Sequence, residues 1–261
     1  MTRRTLPARA SVRALAAAGT VAVLVAGLGA CASAADDKDP DRRAFAFRGD
    51  TLTIDADDSG LEVVADDATP SGRIEVTRWF QGSVVLGSEP EVTWSMEDGN
   101  RLKLRMHCSG VVADCAGKHK VRVPRGIAVK VESDDGSVRA RGFRDALEIR
   151  TADGSVRVSD STGPLELHSD DGSLRADVSS RRVKASTKDG SIRIECATVP
   201  DLVETRSDDG SVHVDLPRET YKVSADSDDG SVDVSVPRDD ASSHVVNART
   251  QDGEVTVRTA N

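Results

Sequence analysis

The residue types best suited to metal binding or nucleophilic chemistry are sparse: four cysteines and five histidines in 261 residues. Cys108 and Cys115 stand seven apart with Gly110 between them. Outside the cytoplasm that spacing reads as a disulfide closing a short hairpin loop. The alternative is zinc held by Cys108, Cys115 and His119, with His107 nearby, but this cluster lacks the closely spaced ligand pairs of a structural zinc site. Cys196 is left unpaired and is expected beside a strand as a small, partly buried residue. Carboxylates recur as Asp134/Asp135, Asp170/Asp171, Asp208/Asp209 and Asp228/Asp229. Stacked carboxylates attract Ca²⁺, and Asp208, Asp209, Asp228 and Asp229 are the weak candidates. Aspartate is also an ordinary turn former, and the nonapeptide calcium repeat is absent, so no metal is expected. The chain has no G-x-S-x-G, S-x-x-K, H-E-x-x-H or P-loop. His107, His119, His168, His213 and His244 are scattered. The expectation is no enzymatic activity and no cofactor.

The remaining residue with defined chemistry is Cys31. Arg3, Arg4, Arg9 and Arg13 form a basic segment without acids, and Ala14 to Ala30 is apolar and rich in small residues. Residues 1–30 therefore read as a secretory signal peptide, too short in its apolar run for a membrane span. Leu28-Gly29-Ala30-Cys31 resembles a bacterial lipobox. That resemblance implies cleavage before Cys31 and lipidation of its thiol. Thr2-Arg3-Arg4-Thr5-Leu6 also partly resembles a twin-arginine signal. Loss of four arginines and no acid takes the formal charge from −9 to −13. So acidic a body is not drawn to anionic lipid, and the lipid must do the anchoring. Residues 31–44 read as the lipidated Cys and a flexible polar tether.

The element that must position everything else is a repeat. Asp-Gly recurs at Gly136, Gly154, Gly172, Gly190, Gly210, Gly230 and Gly253, in steps of 18, 18, 18, 20, 20 and 23. Such a period signals stacked supersecondary units. Seven residues before each Gly stand Val129, Leu147, Leu165, Val183, Val203, Val223 and Val246. Two after stand Val138, Val156, Leu174, Ile192, Val212, Val232 and Val255. Apolar residues alternate within each arm, as in a strand. Each unit is thus a strand, an Asp-Gly turn and a second strand, with Gly expected to supply a positive φ. Three residues before every Gly is Ser or Thr, from Ser133 and Thr151 through Thr250, whose inward hydroxyl can bond turn backbone at the corner.

Asp-Gly between alternating segments is also a hairpin signal. An antiparallel meander, however, leaves an apolar face uncovered, and no helical segment is present to cover it. A solenoid contributes both walls of its own core, with rungs about 4.8 Å apart. The expected fold is all-β: a β-solenoid of 18–23-residue two-strand coils over 127–261. An irregular β cap region with the disulfide loop occupies 45–126. Strands are expected at 51–56, 61–65, 73–80, 91–96, 101–107 and 120–123, with Trp79, Phe80 and Trp94 plugging the solenoid end.

The recurring S-D-D-G-S-V-x-V coils, with Trp94-Ser95, Leu102-Lys103-Leu104, the Cys108/Cys115 pair and Val123-Pro124, resemble the bacterial putative-adhesin family of secreted β-solenoid domains. The likeness spans roughly residues 45–261. It implies the solenoid architecture of a family whose function is largely unassigned, and it brings no catalytic residues, because the shared pattern consists of turn and core positions.

Function must then lie on the surface. Three residues after the repeat glycines stand Arg139, Arg157, Arg175 and Arg193, a candidate binding stripe facing outward. Its planar guanidinium groups suit carboxylate or phosphate on an anionic glycan or teichoic-type polymer. The alternative is a solvated face relieved by acids such as Asp177 and Glu195. Acidity and only 3% aromatic residues argue against nucleic-acid partners. Arg48-Gly49-Asp50 spells an integrin tripeptide at a strand start and is read as coincidence. Three functions follow: a lipid-anchored surface adhesin or binding module for cell-wall polymer or a protein partner, a structural spacer or envelope-sensing accessory, and, least favoured, a β-helical glycan-active enzyme, for which the short connections leave little room for a walled cleft. The expected location is the outer face of the cell membrane.

Overall fold

The computed structural model describes Ala34 and residues 37–260. The expected signal segment 1–30 and the expected lipidation site Cys31 lie outside the described residues. The N-terminal strands are β1 (Asp41–Ala46), β2 (Thr51–Ala56), β3 (Gly60–Asp66), β4 (Arg73–Gly87), β5 (Glu91–Glu97), β6 (Arg101–His107) and β7 (Gly110–Pro124). The repeats supply β8 (Ala128–Ser133), β9 (Val138–Arg141), β10 (Leu147–Thr151), β11 (Val156–Ser159), β12 (Leu165–Ser169), β13 (Leu174–Val178), β14 (Arg182–Asp189) and β15 (Ile192–Cys196). They continue as β16 (Leu202–Asp209), β17 (Val212–Leu216), β18 (Lys222–Asp229), β19 (Val232–Val234), β20 (Val245–Asp252) and β21 (Val255–Thr259).

The strands form two sheets. The first runs β1-β4-β7-β3-β9-β11-β13-β15-β17-β21-β19 and the second β18-β20-β16-β14-β12-β10-β8-β2-β6-β5. Within the repeats all pairings are parallel, so the chain coils: one strand in the second sheet, a turn, one strand in the first. The repeat columns stack in register, with Val156 beside Val138 and Leu174, and Leu147 beside Val129 and Leu165. Alternate residues of both sheets meet in one thin core of Val, Leu, Ile and Ala, from Leu52 to Val257. This is the expected β-solenoid.

The corner column works as expected for the hydroxyls and otherwise for the glycines. Thr187 Oγ1 donates to the Gly172 carbonyl at 3.1 Å, Ser207 Oγ to Gly190 at 2.9 Å and Thr250 Oγ1 to Gly210 at 2.8 Å. These three satisfy carbonyls on the turn of a neighbouring coil that the stack would otherwise bury; Thr151 Oγ1 also accepts from its own Gly154 N–H at 3.1 Å, and Ser133 Oγ at the first corner is buried without a partner. Of the repeat glycines only Gly210 and Gly253 have a positive φ. The shared requirement is close approach instead: a Cβ on Gly190 would stand 2.5 Å from the Gly172 carbonyl oxygen.

The stacking order departs from sequence order at both ends. The last coil, β20–β21, lies between β16–β17 and β18–β19. At the other end, β2–β3 lies between β6–β7 and β8–β9. Equivalent apolar columns make the coils interchangeable neighbours, and the longest step, into Gly253, leaves chain enough to return. Strand β1 starts at Asp41, inside the expected tether, because Phe45 is buried in the core and the strand pairs with β4. The antiparallel β4–β7 ladder runs to Gly87 and Gly110, well past the expected 73–80 and 120–123, since pairing carries the strands through Gly82 and Gly117. Of the expected plug, Trp94 packs on the core edge-to-face with Phe45, whereas Trp79 lies beneath the Lys118 ammonium.

Candidate functional site

The outer face of the first sheet carries Arg139 on β9, Arg157 on β11, Arg175 on β13 and Arg193 on β15. Each sits between two inward residues, as Arg157 does between buried Val156 and Val158. Alternation therefore fixes the side outward, and parallel register aligns the four on consecutive rungs. Rungs at about 4.8 Å hold like charges at a spacing that costs free energy unless something anionic intervenes.

Among the described residues, no carboxylate pairs with Arg139, Arg157 or Arg175. Asp177 and Glu195, expected to relieve them, occupy the next rank along β13 and β15, opposite each other. Beside the three arginines runs a row of exposed hydroxyls, Ser137, Ser155 and Ser173, and the two rows line one shallow depression of about 250 Å³. Its lining backbone N–H groups on Val138 and Val156 are spent within the sheet, and no acid is among its lining residues.

Arg193 ends the free stripe. Its guanidinium reaches Asp215 Oδ2 at 3.2 Å, while Asp215 Oδ1 takes His213 Nε2 at 3.1 Å and Arg258 Nε at 2.6 Å. Burial pushes the Asp215 carboxyl up, but the Arg258 hydrogen bond and the charges of His213 and Arg258 outweigh it and hold it below the usual range. The sequence placed Arg193 with the other three; the cluster shows it already occupied.

The opposite face is neutralised. Lys130 pairs with Glu132 at 3.0 Å, Arg150 with Glu148 at 2.7 Å and Glu166 at 3.3 Å, and Lys184 with Glu204 at 2.8 Å. Such pairs add little stability, but they cancel the face's charge. The solvated, ion-paired surface expected around the arginine stripe is therefore found on the second sheet.

The turn edge forms the expected acidic ridge. Burial and neighbouring carboxyls raise Asp171, and the Asp252 carboxyl together with burial raises Asp209. Asp209 and Asp229 each pair in register with Asp252, so the inserted coil sets the calcium candidates two rungs apart. Asp208 meets Arg206 and Gln251, and Asp228 meets Arg249. Among the described residues no group of three or more His, Cys, Asp or Glu converges to hold a metal.

Cys108 and Cys115 form a disulfide. The zinc alternative fails because the sulfurs are joined to each other and His119 is buried, with Nδ1 2.9 Å from Ser59 Oγ. Burial and the Arg78 charge lower the His119 pKa to about 4. Cys196 is buried, its thiol pushed up to about 12. The Ser59–His119 pair joins residues sixty apart and left no sequence signal.

A family model described as Toastrack DUF4097 matches residues 90–261. The chain is similar to a solved putative cell adhesion protein of Clostridium sporogenes, at 10% identity and TM-score 0.34, covering 85% of this chain and 100% of that one. It is similar to a putative adhesin of Bacteroides fragilis, at 13% identity and TM-score 0.45, covering 85% and 98%. A putative adhesin of Parabacteroides merdae matches at 14% identity and TM-score 0.41, covering 86% and 98%. No curated protein matches the chain.

Proposed function

The chain belongs to the Toastrack DUF4097 family, and from that premise we propose that it is a lipid-anchored surface module that binds an anionic polymer of the cell envelope through Arg139, Arg157 and Arg175. The observation that carries this reading is the contrast between faces: three in-register arginines without a carboxylate partner on the first sheet, and ion-paired cations on the second. A flat, rigid row of guanidinium groups beside serine hydroxyls matches phosphates or carboxylates recurring along a chain, each able to take paired N–H donors. The role is binding without turnover. The lipobox at Leu28–Cys31 supplies the anchor in this reading, and the acidic ridge and net charge keep the rod off an anionic surface.

The test is retention of the mature protein on isolated cell-wall material. Wild type is retained at low salt and released as ionic strength rises, and R139E/R157E/R175E is not retained. If neither is retained at low salt, the protein is a tethered spacer.

A further inference from the structure

The outer face of the first sheet does not end at Arg139. Beyond β9 it continues over β3, β7 and β4 to β1 at the sheet edge. Burial of Val121 and Val123 turns Lys120 and Arg122 of β7 outward, and burial of Ile74 and Val76 does the same for Arg73, Glu75 and Thr77 of β4. Buried Phe45 sets Arg42 and Ala44 of β1 outward in the same way. Register aligns these residues with the arginine row: Arg139 stands opposite Glu62, Glu62 opposite Lys120, Lys120 opposite Thr77, and Thr77 opposite Arg42.

Two further depressions lie along this continuation. One of about 260 Å³ has Lys120, Arg122, Arg125 and Arg141 in its lining against Asp66 and Asp160. The other, of about 290 Å³, has Arg42, Arg43, Arg73 and Arg122 against Glu75 alone. Arg122 borders both, and Arg141 stands two residues beyond Arg139 on the outward side of β9. Cations thus exceed acids by four to two and four to one here, and by three to none in the arginine depression. The second sheet differs: a depression of about 580 Å³ on its outer face balances Lys184, Arg206 and Arg249 with Glu166, Glu204 and Asp226. In a chain of formal charge −9, cation excess in three successive hollows of one face is charge segregation.

Several of the acids on this face are engaged. Glu62 takes Lys118 at 3.2 Å and Lys120 at 2.9 Å, and Asp66 takes Arg122 at 2.8 Å. Arg42 and Arg141 have no carboxylate partner among the described residues. Arg73 meets Glu75 at 3.4 Å in an exposed pair, which contributes little. Arg139 to Arg175 covers two inter-strand steps, about 10 Å, whereas β1 to β13 covers six, about 29 Å.

We infer that the partner is a linear polyanion long enough to cross the face from β13 to β1, and that Arg42, Arg73 and Arg141 form the second half of its site. This rests on the reading that the row from Arg139 to Arg175 binds an anionic polymer. A chain that reaches both halves makes the second contact at high effective concentration. A fragment confined to one half gains nothing from the other. The N-terminal strands are then part of the binding face as well as a cap.

The test titrates the mature chain with poly(glycerol phosphate) in two length fractions, one spanning a single depression and one spanning all three. Affinities are expressed per repeat unit, so that the number of registers on a long chain does not count. R42E/R73E/R141E alters exposed side chains only, and circular dichroism checks its fold. Wild type is expected to bind the long fraction at least about tenfold tighter than the short one. R42E/R73E/R141E binds the long fraction no better than the short, with a flatter salt dependence, and still holds the short fraction. Equal affinity of wild type for both fractions, or wild-type binding of the long fraction by R42E/R73E/R141E, overturns the inference and leaves the arginine row standing. If wild type binds neither fraction, the polymer reading itself fails and the inference falls with it.

Discussion

Replacing Gly190 by alanine tests how the coils are held together. Its Cβ would stand 2.5 Å from the Gly172 carbonyl oxygen and 2.8 Å from that carbonyl carbon, where real Cβ contacts stay beyond 3.0 Å. The two turns must part by about half an ångström, close to the overpacking that costs about 1–3 kcal/mol in a packed interior. That opening stretches the 3.1 Å bond from Thr187 Oγ1 to the same oxygen past hydrogen-bond range. The Gly190 N–H donates to the Asp209 carbonyl of the next coil at 3.0 Å, so a shift of this turn strains that hydrogen bond as well. Each buried bond lost adds about 1 kcal/mol, so G190A is expected to cost ~3 kcal/mol. With a urea slope of about 3 kcal/mol per molar, the unfolding midpoint falls by about 1 M. The comparison is G126A: Gly126 has φ +89° with nothing within 4 Å of the added Cβ, so only conformational strain of about 1–2 kcal/mol applies. Urea titrations followed by circular dichroism rank the two. If G190A costs no more than G126A, inter-coil approach does not explain the glycine column.

Further outcomes follow from the buried groups. His119 is neutral in the fold, with its pKa lowered to about 4 from 6.5 by burial and by Arg78. Its contribution is therefore complete above pH 6.5 and is lost as pH falls toward 4, by about 2.5 kcal/mol at pH 4.5. Urea midpoints of wild type should fall more steeply over that window than those of H119Q, and parallel slopes would discard the assignment. The Cys196 thiol, pushed up to about 12, resists iodoacetamide at pH 8 in the folded protein and reacts once urea unfolds the coils; mass spectrometry reads the difference. C108S/C115S loosens the end of the β4–β7 ladder alone. Amides of Gln81–Gly87 should exchange at least about tenfold faster, while the midpoint of the coils is retained.

Much of this was legible in sequence because the repeat writes each structural requirement seven times. Alternation around Asp-Gly gave the paired strands, the hydroxyl at minus three gave the corner bonds, and the apolar columns gave a core without helices. Coil order was not legible: Val246 presents the same surface to Val203 as to Val223, and only three-dimensional closure decides which neighbour it takes. The roles of the four arginines were half legible. Parity put them all outside, but their pairing depends on which rank the acids occupy, and Asp215 reaches Arg193 only because burial and Arg258 hold it there. The Ser59–His119 pair depends on β7 stacking beside β3, a neighbour sixty residues away that no local pattern encodes.

The measurement closest to the central claim is the affinity of the mature chain for a soluble poly(glycerol phosphate), titrated at stepped salt. Two variants accompany wild type: R139E/R157E/R175E on the free face, and R150E/R206E on the ion-paired face. Wild-type binding is expected to weaken with salt, the first variant to lose on the order of tenfold or more with a flattened salt dependence, and the second to keep wild-type affinity. Equal losses in both variants, or wild-type binding indifferent to the first, would contradict it.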